Sequence, residues 1–289
     1  MAEQTRLQLI GQAFAALADA ESARFARELA RVLSSLERDL LGMVQGVRAG
    51  KRGVLAQVGR LITLRREIRE ALDASGYSTL ATRASLDVVE GMAQVASRSR
   101  LVAAGAALGR VSPSRLKAMA SLFRLDLLGI GEALAHQVWR SAVLSIYTNR
   151  PSAGIVADLA RAIEKSRAQA QTLFDTQSSI LGRQMVAEEE SAPDQAYLYV
   201  GPADGKVREW CVDHLGMVMT KPRIEALDNG QLPNPYLTAG GYNCRHSWLA
   251  VSDPALIALA NTGERAPGYA EMVTRANEAR DYLKRRRAA

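Results

Sequence analysis

Apolar residues recur at steps of three and four along residues 5–47, at Ile10, Phe14, Leu17, Phe25, Leu29, Val32, Leu36, Leu40, Met43 and Val47. That spacing lines one face of a helix. It predicts a single amphipathic helix, roughly 60 Å long at 1.5 Å per residue. A helix of this length serves either as an arm that contacts another molecule or as a long bundle strand with an internal partner. Gly50 and Gly53 close it. A second helix is expected over residues 54–74, with Val54, Val58, Leu61, Ile62, Ile68 and Leu72 on its buried stripe, and Gly76-Tyr77 breaks it. A third runs from about residue 79 to 95 or beyond. Ser112-Pro113 and Arg150-Pro151-Ser152 each read as a helix start, a capping residue beside a proline that needs no N–H donor. The first of these helices carries Leu116, Met119, Leu122, Phe123, Leu127, Val138 and Val143; the second carries Ile155, Leu159, Ile163, Leu173, Ile180, Leu181 and Met185.

The grammar changes after Pro193. The run Glu188-Glu189-Glu190-Ser191-Ala192-Pro193 reads as a linker. Tyr197 to Val200 is a short β-type run, Gly201-Pro202 and Asp228-Asn229-Gly230 are turns, and Ser247 to Val251 reads as a closing strand. Helical pattern resumes over residues 254–260 and 269–286, ending in Lys284-Arg285-Arg286-Arg287. The expected fold is mainly α: long N-terminal helices and a helical bundle, then a small α+β module with short strands and a C-terminal helix. The expected segments are a helical arm and bundle over 1–190, the module over 194–252 and a basic helical tail over 253–289.

Composition agrees, since hydrophobic residues make up 48% of the 289-residue chain and aromatics only 5%, which favours closely packed Ala- and Leu-rich helices. The net charge of +7 implies attraction to a polyanion or an acidic protein surface without choosing between them. The excess is local. Arg48, Lys51, Arg52, Arg60, Arg65, Arg66 and Arg69 face only Glu67, and no acid separates Glu90 from Asp126, where Arg98, Arg100, Arg110, Arg115, Lys117 and Arg124 lie. Such faces suit non-specific contact with DNA phosphates, or a solvated surface, or acidic patches on a partner. Nothing in the sequence approaches the roughly 18 apolar residues of a membrane-spanning helix. Two cysteines make no disulfide framework, and assembly in a cytoplasm is expected.

Both cysteines and two of the three histidines fall in one short stretch, as Cys211-x-x-His214 and Cys244-x-His246. Two close pairs of soft and borderline donors suit a tetrahedral zinc, and a module of about 60 residues often needs such a staple. A Cys211–Cys244 pair, bonded or as packed thiols, and independent buried residues are the other readings. A cysteine nucleophile served by His214 or His246 lacks any marked oxyanion site. His136 reads as a packing residue on a helix. Arg208 and Arg245 flank the cysteines, where a guanidinium binds carbonyls or Asp204 and pins an irregular chain.

The same stretch resembles a known family. Asp204-Gly205-Lys206-Val207-Arg208-Glu209-Trp210-Cys211, Gly216-Met217-Val218-Met219-Thr220, Ile224 through Gln231, and Gly240-Gly241-Tyr242-Asn243-Cys244-Arg245-His246 are similar to the phage head-morphogenesis domain, the family of phage Mu protein F. Asp204, Arg208 and Cys211 match its opening, and Asn243, Cys244, Arg245 and His246 its close. Gly241 and Tyr242 stand where many members have His-Pro. Phe174-Asp175-Thr176-Gln177 through Met185 resembles its lead-in helix, so the likeness covers roughly residues 170–252.

The resemblance implies a minor head protein of a tailed bacteriophage, non-enzymatic, in a virion near the portal or inner capsid wall. It would act in head assembly or genome delivery by contacting portal or capsid proteins and packaged DNA. The alternatives are an internal protein ejected with the genome, or a nuclease-like or toxin module.

Overall fold

A computed structural model describes residues 2–48, 54–102, 112–147, 152–187 and 195–288. Five long helices come first: α1 (Ala2–Arg48), α2 (Val54–Ala74), α3 (Tyr77–Val102), α4 (Pro113–Tyr147) and α5 (Ser152–Ala187). Then follow β1 (Ala196–Val200), α6 (Glu209–His214), β2 (Val218–Thr220), α7 (Lys221–Glu225), α8 (Pro235–Thr238), β3 (Ser247–Ala250), α9 (Pro254–Thr262) and α10 (Tyr269–Ala288). The protein is thus mainly helical, with long N-terminal helices, a small antiparallel sheet and a C-terminal helix. The linker expected at residues 188–193 lies outside the described residues.

The compact units cut across the segments expected at 1–190, 194–252 and 253–289. One comprises Met1–Ala20, Val88–Leu116 and Asp175–Ala289, the other Glu21–Asp87 and Lys117–Phe174. Three short strands bury too little apolar surface alone, so the sheet takes its cover from both ends of the chain.

The helical unit is built on aliphatic stripes. Leu29, Leu36 and Leu40 of α1, Leu64 and Ile68 of α2, and Leu127 and Leu134 of α4 are fully buried. Phe174 of α5 stacks on Phe25 of α1 with ring centroids 4.2 Å apart and leans on Phe123 of α4 at 5.4 Å. Leu122, expected on the α4 stripe, is instead 65% exposed. Adjacent helical residues point about 100° apart; the core takes Met119, Phe123 and Leu127, and Leu122 turns out. The side chains of Val54, Val58, Leu61 and Ile62 lie outside the described residues. Tyr77 of α3 donates its hydroxyl to the Leu127 carbonyl at 2.8 Å, and burial pushes that hydroxyl well above its ordinary range, keeping it protonated. Tyr77→Phe should cost about 1 kcal/mol in urea denaturation, the net value of one such bond.

In the sheet-bearing unit the strand order is β2-β1-β3, both pairs antiparallel. Tyr199 of β1 sits opposite Trp248 of β3, and Leu198 opposite Val218 of β2. Every residue of β1 is buried, as a central strand covered on both faces requires. Tyr197 and Tyr199 enter a core cluster with Val207, Cys211, Ile224, Tyr236, Cys244 and Trp248. Strand alternation sends Leu198 to the other face, and α9 packs along β1 and β2.

The start of α1 belongs to this unit. Leu7, Ile10 and Phe14 are buried. The Glu3 carboxylate accepts from Ser252 N at 2.7 Å and Asp253 N at 2.6 Å, beside the cap where Asp253 accepts from Ala255 N and Pro254 opens α9. Gln8 Nε2 donates to the Gly201 carbonyl at 2.8 Å. Residues 253–289 are not merely a basic tail, because Leu256, Tyr269 and Ala276 are buried core. The opposite face of α10 is exposed, from Glu271 and Arg275 to Lys284, Arg285 and Arg286.

Candidate metal centre

Cys211 reaches the core from α6, a six-residue helix whose buried side chains are Cys211 and Val212. Cys244 comes from the irregular segment between α8 and β3. There Ala239, Gly241 and Asn243 all have positive φ, at 49°, 89° and 55°. Such backbone is sterically costly for a non-glycine residue, so it persists only where surrounding bonds hold it.

The two sulfurs lie 3.5 Å apart. The Tyr199 hydroxyl is 3.5 Å from Cys211 Sγ and 3.6 Å from Cys244 Sγ, and Gly240 N donates to Cys244 Sγ at 3.2 Å. His246 Nδ1 is 3.9 Å from Cys244 Sγ, and its Nε2 is 3.0 Å from the Pro202 carbonyl. A carbonyl only accepts, so the proton sits on Nε2 and the Nδ1 lone pair faces the sulfurs, the orientation a metal-ligating imidazole takes from its outer partner. Cys211, Cys244 and His246, all buried, place one donor atom each within 4.8 Å of one another and form a group able to hold a metal ion. A β-carbon on Gly240 would stand 2.3 Å from Cys211 Sγ, so only glycine lets the backbone pass this close.

Four side chains brace the segment. Arg183 of α5, 3% exposed, donates to the His246 carbonyl at 2.7 Å, to the Leu237 carbonyl at 3.0 Å and to the Cys244 carbonyl. Arg208 donates to the Gly240 carbonyl at 2.7 Å and to Gln231. Arg245 pairs with Asp204 at 2.6 Å and with Asp19 of α1 at 3.2 Å. Thr176 Oγ1 accepts from Asn243 N at 3.1 Å and lies 3.3 Å from Asn243 Oδ1. Together they fix a backbone that no regular ladder supports.

Charge follows geometry. Burial opposes ionisation of Cys244, but the hydrogen bond from Cys211 and the Arg183 charge outweigh it, holding its thiol well below the ordinary range. Cys211, which gives its hydrogen bond to Cys244 and is itself desolvated, is pushed well above. Burial and the neighbouring thiols raise Tyr199 as well. Burial alone would raise Asp204, yet the Arg245 hydrogen bond and charge bring it below the usual carboxylate range. A carboxyl depressed in the fold stabilises it above its unfolded value near about 3.9, and that contribution disappears as pH falls through the lower folded value. With Asp204 45% exposed, the pair is worth under about 1 kcal/mol. Asp204→Asn should therefore be slightly destabilising at neutral pH, and the difference should vanish on acid titration once pH has fallen below the lowered folded value.

Of the expected ligand set Cys211, His214, Cys244 and His246, the structure brings three together. His214 is turned aside: its Nδ1 is 2.7 Å from the Trp210 carbonyl and its ring stacks on Trp210 at 3.9 Å. Standing four residues after Trp210, about one turn on, its ring lies over the indole. His136, expected to be packed, is exposed on α4 beside Arg65, Arg69, Glu132 and Ala135.

Among the expected DNA-facing residues, Arg65, Arg66, Arg69, Arg115 and Lys117 are exposed. Arg69 pairs with Glu132 at 2.9 Å and Arg66 with Glu70 at 3.5 Å, and Arg65 lies over the Trp139 ring. Lys51, Arg52 and Arg110, and the side chains of Arg48, Arg98 and Arg100, lie outside the described residues. Sequence reading missed Arg183, Tyr199 and the Gly240 approach. A signal existed for the first: Arg183 is the lone charged residue in the stretch 176–187.

Compared with family models, curated proteins and solved structures, the chain matches none.

Proposed function

We propose that the protein is a structural component of a tailed-phage head, a minor head protein whose sheet-bearing unit is a rigid, internally cross-braced module. The observation that carries this reading is the convergence of the motif residues. Asp204, Arg208, Cys211, Asn243, Cys244, Arg245 and His246, which resemble the head-morphogenesis family in sequence, all meet around one pair of buried sulfurs. Each arginine there is spent on holding backbone or a carboxylate, which is the work of a scaffold. The long helices offer surface for portal or capsid proteins, and the exposed Arg65, Arg115 and Lys117 suit non-specific phosphate contact. The experiment is quantitative mass spectrometry of density-gradient particles induced from cells carrying the gene. Its peptides should band with particles, at a small fraction of the major capsid protein. Peptides confined to the host lysate overturn the reading. Retention in emptied particles separates a permanent component from an ejected one.

The metal this donor set fits is zinc. Two sulfurs and one imidazole nitrogen are its usual protein donors, and the Pro202 carbonyl already fixes the imidazole tautomer. Cys211, Cys244 and His246 would hold it, and it would supply a structural cross-link between α6 and the segment before β3. Elemental analysis should find one zinc per chain, and chelation should lower the melting temperature. Absence of zinc after expression in zinc-supplemented medium counts against this assignment while leaving the head-protein reading intact.

A further inference from the structure

Three donors do not complete the four-coordinate site that structural zinc takes, and the nearest further histidine is committed elsewhere. We infer that Tyr199 supplies the fourth donor, as a phenolate, resting on the zinc reading above. A tetrahedral centre with usual bond lengths sets its donors about 3.8 Å apart between two sulfurs and about 3.5 Å apart between sulfur and oxygen or nitrogen. The structure has 3.5 Å between the sulfurs, 3.5 and 3.6 Å from them to Tyr199 Oη, and 3.9 Å from Cys244 Sγ to His246 Nδ1. The tyrosine oxygen therefore stands at a tetrahedral edge length from both sulfurs. Its ring is wedged between His246, stacked at 5.3 Å, and Trp248 at 4.5 Å, so the oxygen is aimed and held.

Charge supports the same assignment. Two thiolates and a phenolate around a divalent ion leave one net negative charge in a buried site. Arg183, itself buried and bound to the carbonyls of Cys244 and His246, brings the matching positive charge. A neutral fourth donor would leave that guanidinium uncompensated, which is costly in the interior. On binding, the metal displaces to solvent the phenol proton and whichever thiol protons remain, and no oxidation state changes.

The test is a zinc titration of the full chain, followed by ultraviolet difference spectroscopy, with affinity measured by competition against a chromophoric chelator. Zinc should produce a phenolate band of one tyrosine per metal. Tyr199→Phe should abolish that band and weaken zinc by about tenfold or more, whereas Tyr197→Phe, on the same strand face, should keep it. Stoichiometric zinc binding to the wild-type chain with no phenolate band overturns the inference while the zinc reading stands; this holds even if the Tyr199 variant fails to fold. No zinc binding at all overturns both.

Discussion

Replacing Arg183 with alanine should lower the stability of the sheet-bearing unit by about 3–5 kcal/mol, enough to leave it largely unfolded at moderate urea. The side chain donates to three carbonyls of the segment that carries Leu237, Cys244 and His246. A buried acceptor left without its donor costs about 1–3 kcal/mol, and partial relaxation keeps the sum below three full penalties. Arg183→Met separates the contributions, since it fills most of the volume yet leaves the carbonyls bare; it should recover little. Arg183→Lys should recover part only, because one ammonium cannot match the planar fork that reaches three acceptors. Urea denaturation with hydrogen exchange read at residues 237–248 is the measurement. A loss under about 1 kcal/mol for the alanine variant would place Arg183 among ordinary surface charges and remove the main brace.

The second large effect is expected at Gly216→Ala. Gly216 has φ at 81°, and an added β-carbon would stand 2.3 Å from Cβ and Cγ of Tyr269. The left-handed backbone costs an alanine about 1–2 kcal/mol, and overpacking adds about 1–3 kcal/mol. The clash is with the root of a fully buried ring, which cannot swing away. Gly216 N donates to the Tyr199 carbonyl at 2.9 Å and its own carbonyl accepts from Ala266 N at 2.8 Å, so any shift reaches both the central strand and the start of α10. A double-mutant cycle with Tyr269→Gly, which removes both Cβ and Cγ, should return a favourable coupling of about 1 kcal/mol or more. Strict additivity in that cycle would mean the backbone conformation alone sets the cost.

Legibility of the fold followed the number of helical periods available. The long helices repeat their apolar step many times, and α2 begins and ends where its pattern does, at residues 54 and 74. Proline punctuation fixed the start of α4, with Ser112 as its flanking residue and Arg115 N bonded back to the Ser112 hydroxyl at 3.3 Å. In contrast, α6, α7 and α8 have six, five and four residues, one turn or little more, so no periodicity exists to be read. They form because tertiary packing traps Cys211, Ile224 and Tyr236 in one cluster.

The site was half visible. Cysteines and histidines announce themselves by rarity, and their spacing brought into view the three that the fold gathers. His214 misled because sequence proximity says nothing about which way a one-turn helix faces. Arg183 and Tyr199 stayed hidden for a different reason: an arginine in a helix ordinarily means solvent, and a tyrosine in a strand ordinarily means core. Only the assembled geometry makes one a brace and sets the other beside both sulfurs.

The discontinuity of the sheet-bearing unit has a consequence during synthesis. Residues 2–20 leave the ribosome well before the strands they cover, which lie beyond residue 195. Until those strands emerge, Leu7, Ile10 and Phe14 have no final berth. A nascent or truncated chain ending before α5 therefore displays a sticky amphipathic leader, a target for holding chaperones. The helical unit has all its residues, 21–87 and 117–174, synthesised earlier, so it should lock first and the sheet-bearing unit, residues 88–116 included, last.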